Sequence, residues 1–219
     1  MRSDRELDFA KLYIFGAGGH GREVAWLAST AWRDAPQIEF LVDDRQYANG
    51  AVDGHPVGLL RDAEFDGNAR FVVAIGDPAL RRRIAARFDA LGASAAVILH
   101  PAVELSDSVS LGEGAIIFPG CTLTTDVVIG KHAHVNAGCT VSHSSRVGNF
   151  SSLSPGVHLA GNVHVGDGVF VGVGANVING TVDDPVIVGD GAVVAAGACV
   201  IGPVPSGAMV AGVPAVRKR

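Results

Sequence analysis

The sequence predicts two consecutive folds: an α/β Rossmann-like N-terminal domain and, after it, a parallel β-helix. The first rests on a G-x-G-x-x-G turn, Gly16-Ala17-Gly18-Gly19-His20-Gly21, placed between a short apolar strand and a helix. The second rests on an aliphatic residue at every sixth position from Leu105 to Val177, thirteen in succession. A helix would scatter a six-residue repeat around its surface, and a hairpin sheet would carry irregular turn signals. A chain coiled into a triangular prism accounts for it, each hexad supplying one short strand and one corner.

In chain order, the first element is a strand over Leu12–Phe15 that runs into the glycine turn, with a helix from about Gly19 to Ser29. Amides at that helix start suit a phosphate. A second strand, Ile38–Val42, ends at Asp43-Asp44, where a Rossmann unit places a ribose or base ligand. A third, Phe71–Ile75, ends at Gly76-Asp77, and the helix after it carries Arg81, Arg82 and Arg83, read as a solvated face. A fourth, Ala95–Leu99, leads to His100-Pro101 and the first coil. About 100 residues are too few for a complete dinucleotide fold, which needs two mononucleotide halves, so a mononucleotide portion is expected.

The hexads have two inward columns. One is Leu105, Leu111, Ile117, Leu123, Ile129, Val135, Val141, Val147, Leu153, Leu159, Val165, Val171 and Val177. The other, four places on each time, is made of small or β-branched residues and includes Cys121, Cys139, Ser145, Ser151 and finally Thr181. Around Thr181–Pro185 the register slips by one residue and resumes at Val188, Val194 and Val200. Outward apolar residues such as Phe118, Phe170 and Val173 suggest protein contacts.

Composition narrows the functional classes. A net charge of −5 and a pI near 5.9 supply no basic field for a nucleic-acid partner. Three cysteines, two in inward columns, point to reduced thiols rather than a disulfide framework. The start, Met1-Arg2-Ser3-Asp4-Arg5-Glu6, is too charged for a secretory signal, and no apolar run approaches the roughly 20 residues of a membrane span. A soluble cytoplasmic protein with no membrane partner is expected.

Hexads such as Leu111-Gly112-Glu113-Gly114-Ala115-Ile116 resemble those of the hexapeptide-repeat acyltransferases. The resemblance implies a left-handed parallel β-helix with about three hexads, roughly 18 residues, per coil. Cys121 and Cys139 then stack in the core. GAGGHG after the first strand, Asp-Asp after the second, Ala-Ile-Gly-Asp and then the hexads together are similar to one subfamily, the nucleotide-aminosugar N-acetyltransferases and their sialic acid O-acetyltransferase relatives.

That likeness divides the chain into residues 1–99, holding a nucleotide sugar, and residues 100–219, the acyltransferase prism. It implies phosphate contacts at Gly16, Gly18, Gly19 and His20, with Asp43 and Asp44 near the base or ribose. His143 matches the general base, Asn136 an active-site asparagine and Gly161 a residue at the acetyl group. Two places after Val141, His143 points outward near a corner, and Gly161, one coil on, leaves room for a thioester and an amide for its oxyanion. Ser144 stands where the family usually has Glu or Asp; serine orients an imidazole but does not balance its charge. Asp107 and Thr125 stack below His143, at 36 and 18 residues, too far to replace that carboxylate.

Ser152 replaces a frequent His near the acyl donor, and Gly212 and Pro214 match the terminal segment that borders CoA. Arg217, Lys218 and Arg219 suit CoA phosphates or a frayed basic tail alike. Some β-helix enzymes bind zinc through three histidines, but His132, His134, His158 and His164 lack the H-x4-H pair and are read as surface residues without a metal.

The implied activity is transfer of an acetyl group from acetyl-CoA to the 4-amino group of a nucleotide-linked amino-deoxy sugar, in a homotrimer with sites between neighbouring prisms. O-acetylation of a sialic acid or related sugar, and a β-helix scaffold without catalysis, are the alternatives.

Overall fold

The computed structural model describes residues 6–48 and 50–218. Most of the charged start, and the phosphate contact read for Arg219, lie outside the described residues. The chain forms two compact units that divide between Pro101 and Ala102.

In the first unit, β1 (Lys11–Phe15), α1 (Gly19–Ala31), β2 (Gln37–Val42), β3 (Ala51–Val52), β4 (His55–Leu59), β5 (Ala69–Val73), α2 (Pro78–Ala90) and β6 (Ser94–Ala95) follow in order. The sheet order is β3-β4-β2-β1-β5-β6. Central β1 pairs in parallel with β2 and β5 over its whole length, and its unbroken apolar run is buried on both faces, as a covered parallel strand requires. Phe88 of α2 stacks on Phe71 at 4.1 Å and meets Phe15 edge-on at 6.1 Å. Gly21 of α1 sits instead against Phe40. Phe15 and Phe71 share one face of the sheet and Phe40 lies on the other, so the two helices cover opposite faces. The ligand crevice of such a sheet opens where the helices change sides, here between the ends of β1 and β5.

The β3–β4 hairpin escaped the sequence reading because β3 is only two residues long and β4 contains Pro56 and Gly58, so neither arm is an apolar run. The strand expected at Phe71–Ile75 starts earlier and ends at Val73. That expected at Ala95–Leu99 is two pieces, β6 and Ile98–Leu99.

The second unit is a left-handed β-helix whose coils stack at a spacing of 18 residues, as in Ile116↔His134↔Ser152 on face one, Thr122↔Thr140↔His158 on face two and Val128↔Arg146↔His164 on face three. The aliphatic column is buried from Ile117 onward, while Leu105 of the opening coil is 38% exposed. Ser145 and Ser151 fill core positions without stranding a hydroxyl. Each donates to a carbonyl one coil up, Ala160 at 3.0 Å and Gly166 at 2.7 Å, and accepts the amide of Val163 or Val169. Asn149, Asp167 and Asp190 form a second splint at one edge, each side chain accepting a backbone N–H of the coil below.

The slip is larger than one residue. Val163 pairs with Val186, an offset of 23 where the preceding coils have 18, so five extra residues leave the coil; a period of six sees five as a slip of one. Thr181 is therefore exposed on this excursion rather than inward. Two further readings change. Phe118 is buried, so of the three apolar residues read as outward Phe170 and Val173 are exposed and Phe118 is not. His132 and His134 are buried too: the His132 ring stacks on Phe150 at 5.1 Å and fills the space above Gly114.

Candidate active site

His143 occupies the turn between faces two and three, where Asp107, Thr125, His143, Gly161 and Asn179 form one column. Its ring stands over Gly161: a Cβ there would lie 2.4 Å from Nε2 and 2.5 Å from Cε1. The imidazole is exposed, and no hydrogen bond reaches its ring nitrogens from the described residues. The Gly161 amide likewise has no acceptor among them, whereas the next amide, Asn162, donates to the His143 carbonyl at 3.0 Å. An exposed imidazole and an amide with no acceptor among the described residues thus lie side by side in one column. Ser144 adopts the left-handed conformation, φ 59°, that this corner repeats at Asp126 and Asn162. Its amide donates to Thr125, and its hydroxyl makes no bond to the imidazole.

The other expected residues of the prism are not brought to this column within one chain. Asn136 lies at the preceding edge, between faces one and two, its side-chain amide donating to the Leu153 carbonyl at 2.7 Å. Ser152 is buried on face one, in register with His134 and Phe170. Gly212 and Pro214 flank the last strand of face two, where Cys199 donates to the Gly212 carbonyl. Cys121 and Cys139 are buried, free thiols, donating to the carbonyls of Asn136 and Ser154. The neighbouring Cys121 and burial hold the Cys139 thiol well above its usual range. No group of three or more His, Cys, Asp or Glu side chains among the described residues has the arrangement of a metal site.

In the first unit the four glycines divide by what surrounds them. Gly16, φ 107°, lies against the Ala74 carbonyl, and a Cβ on Gly21 would fall 1.8 Å from the Gly16 oxygen; these two are packing requirements. Gly18 and Gly19 face open space at the start of α1, which no side chain caps. His20 sits beside them, its Nδ1 3.4 Å from Glu23, and burial lowers its pKa; Glu23 opposes that shift and Arg81 adds to it. Asp43 accepts a bidentate pair from Arg87 at 2.6 and 2.7 Å, which holds its carboxyl below the usual range. Asp44 caps the turn after β2 by accepting the Gln46 amide.

Arg81 departs from its reading as part of a solvated face. Arg82 and Arg83 are exposed, but Arg81 is fully buried, donating to the carbonyls of Ile75 at 2.6 Å and Gly76 at 3.2 Å. Burial brings its pKa down to about 10. The signal was present in the spacing: Arg81, Ile84, Ala85 and Phe88 are the buried stripe of α2, with arginine in a place otherwise apolar.

A nucleotide-type α/β unit followed by a left-handed prism with an outward histidine packed against a glycine of the next coil defines a hexapeptide-repeat acyltransferase. The PglD N-terminal domain family matches residues 11–88. By sequence comparison no curated protein matches. Among solved structures, the acetyltransferase domain of PglB from Neisseria gonorrhoeae FA1090, in complex with acetyl coenzyme A, is 34% identical with a TM-score of 0.87, covering 95% of this chain and 99% of that one. PerB from Caulobacter crescentus, in complex with CoA and GDP-perosamine, is 32% identical with a TM-score of 0.84, covering 98% and 100%. WeeI from Acinetobacter baumannii AYE is 29% identical with a TM-score of 0.89, covering 95% and 99%. The chain belongs to the hexapeptide-repeat sugar N-acetyltransferases, enzymes that take their acetyl group from acetyl-CoA.

Proposed function

We propose that this enzyme transfers the acetyl group of acetyl-CoA to the 4-amino group of a nucleotide-linked amino-deoxy sugar, with His143 as general base. The observation that carries the chemistry is the His143 ring over Gly161, a base beside an unused amide donor. As the amine attacks the thioester carbonyl, the Gly161 N–H meets the developing oxyanion and the imidazole takes the amine proton. The tetrahedral adduct collapses with cleavage of the C–S bond, and the proton passes from the imidazolium to the departing CoA thiolate. Nitrogen gains the acetyl group and CoA leaves as the thiol.

The donor arm has a place above this column: a cavity of about 280 Å³ lined by Ile178, Asn179, Gly180, Ile201, Gly202 and Pro203. We assign the nucleotide sugar to residues 1–99, its diphosphate at Gly18, Gly19 and His20. PerB, crystallised with GDP-perosamine and CoA, including forms with a histidine replaced by asparagine or alanine, supports a ternary reaction of this kind. A homotrimer completes the site, since a neighbour offering its first edge to this chain's second would unite Asn136 with His143. No helix among the described residues is long and apolar enough to cross a membrane, and we place the enzyme in the cytoplasm.

The test is release of CoA thiol from acetyl-CoA against UDP-, GDP- and dTDP-linked 4-amino sugars. Turnover with one of them names the nucleotide. Turnover only with a free sialic acid would replace N- by O-acetylation, and tight acetyl-CoA binding without any turnover would reduce the chain to a scaffold.

A pH dependence follows from His20. Burial holds its pKa below the usual value in the free protein, and a bound diphosphate raises it. Between the two values the complex holds more protons than the free enzyme, so affinity for the nucleotide sugar rises as pH falls through the pKa of the complex toward that of the free protein, which lies below the ordinary histidine value, by about tenfold per pKa unit gained on binding. Titration calorimetry on wild type and His20→Gln checks this; an equal slope in both would remove His20 from the diphosphate.

A further inference from the structure

We infer that Arg81 is a positioning residue for the nucleotide diphosphate: its buried guanidinium engages the Ile75 and Gly76 carbonyls just beyond β5 and offsets their negative charge beside the crevice at Gly18 and Gly19. The inference rests on the assignment of the nucleotide sugar to this unit.

The placement follows from the topology. The crevice lies between the ends of β1 and β5, with the glycine turn on one side and Ile75-Gly76 on the other. The two walls touch, since a Cβ on Gly16 would lie 3.0 Å from the Ala74 oxygen and 3.1 Å from Ile75 Cδ1. Gly76, like Gly18 and Gly19, faces open space. The carbonyl oxygens of Ile75 and Gly76 put partial negative charge on their wall of the crevice. A diphosphate at Gly18 and Gly19 would meet that charge across the crevice. Arg81 Nη1 donates to both oxygens, of Ile75 and Gly76, and brings a positive charge behind the same wall, partly offset by Asp77 at the start of α2.

Stability alone is a poor reason to bury this cation. A fully buried guanidinium carries a large desolvation penalty, and an apolar residue on the Ile84, Ala85 and Phe88 stripe would avoid it. The charge also reaches the ligand side, because it contributes to lowering the pKa of His20 on the opposite wall.

The experiment compares wild type, Arg81→Gln and Arg81→Lys by titration calorimetry with UDP, GDP and dTDP and with the parent nucleosides, acetyl-CoA binding serving as the check on the fold. For the nucleotide that wild type binds, Arg81→Gln is expected to weaken the diphosphate by at least about tenfold and to leave the nucleoside unchanged. The KM for the nucleotide sugar should rise in step while kcat and the KM for acetyl-CoA hold. Arg81→Lys keeps a cation but not the two-carbonyl grip and should fall between. A parallel loss for nucleoside and diphosphate would make Arg81 a plain folding residue, and no loss for either would also overturn the inference. If Arg81→Gln does not fold, Arg81→Lys decides: affinity for the diphosphate equal to wild type rejects the role. Wild type that binds none of the three diphosphates removes the nucleotide assignment itself, and this inference with it.

Discussion

His143→Ala is expected to lower acetyl transfer by about 10²–10⁴-fold, the usual contribution of a positioned general base, while acetyl-CoA still binds. The loss should lie toward the lower end of that span. A base that accepts a proton as the amine attacks becomes an imidazolium in the transition state, and a neighbouring carboxylate would stabilise that charge. Here the next residue is Ser144, its hydroxyl makes no bond to the ring, and the column offers Thr125 below and Gly161 above. Ser144→Glu is accordingly expected to raise kcat several-fold, since a carboxylate stabilises the imidazolium that forms in the transition state. Stopped-assay thiol release across pH 5.5–9 in the three proteins is the measurement; unchanged turnover in His143→Ala would remove the base from the mechanism.

The prism was legible because its grammar is strict. A strand of two residues per hexad leaves no room for variation at the inward positions, so an aliphatic at every sixth place survives along the whole coil, and the stacking of Gly161 on His143 follows from the spacing of 18 alone. Where the chain departs from that grammar, periodicity misreads it: five inserted residues after Gly180 appear as a slip of one. The histidines mark a different limit. His132 and His134 stand outside the inward columns, and a hexad pattern specifies only what points in; burial of outward residues depends on what packs over them.

The α/β unit was legible where a strand is a continuous apolar run, as in β1 and β2, and not where it is only two residues long, as β3, or interrupted by proline and glycine, as β4. Its candidate ligands were proposed by motif, but a motif does not separate glycines fixed by packing from glycines open to solvent. Gly16 and Gly21 are fixed by contacts under or near 3 Å, whereas Gly18 and Gly19 meet nothing. Asp43 and Asp44 show the converse: the sequence placed them correctly at a strand end, but Arg87 and the Gln46 amide already satisfy them, partners that come from 44 and 2 residues away.

Gly161→Ala should separate catalysis from stability more cleanly than any change at the histidine. The added methyl would lie 2.4 Å from His143 Nε2 and 3.1 Å from Cδ2, so the ring must move. The obstacle is the end of an exposed side chain, and Gly161 needs no left-handed conformation, so the coil itself should accommodate alanine with little loss of stability. Gly148→Ala is the contrast, because there the methyl would meet the backbone oxygen of Gly166 at 2.3 Å and only the fold suffers. Displacing the imidazole by about 1 Å is expected to lower kcat about 10²-fold, with the melting temperature near that of wild type. If the ring position is the cause, the effect must vanish once the ring is gone: Gly161→Ala added to His143→Ala should cost nothing further. Additive losses would instead assign the effect to the Gly161 amide or to the donor's path past it, and full activity in the single variant would show that the imidazole need not stand over Gly161 to do its work.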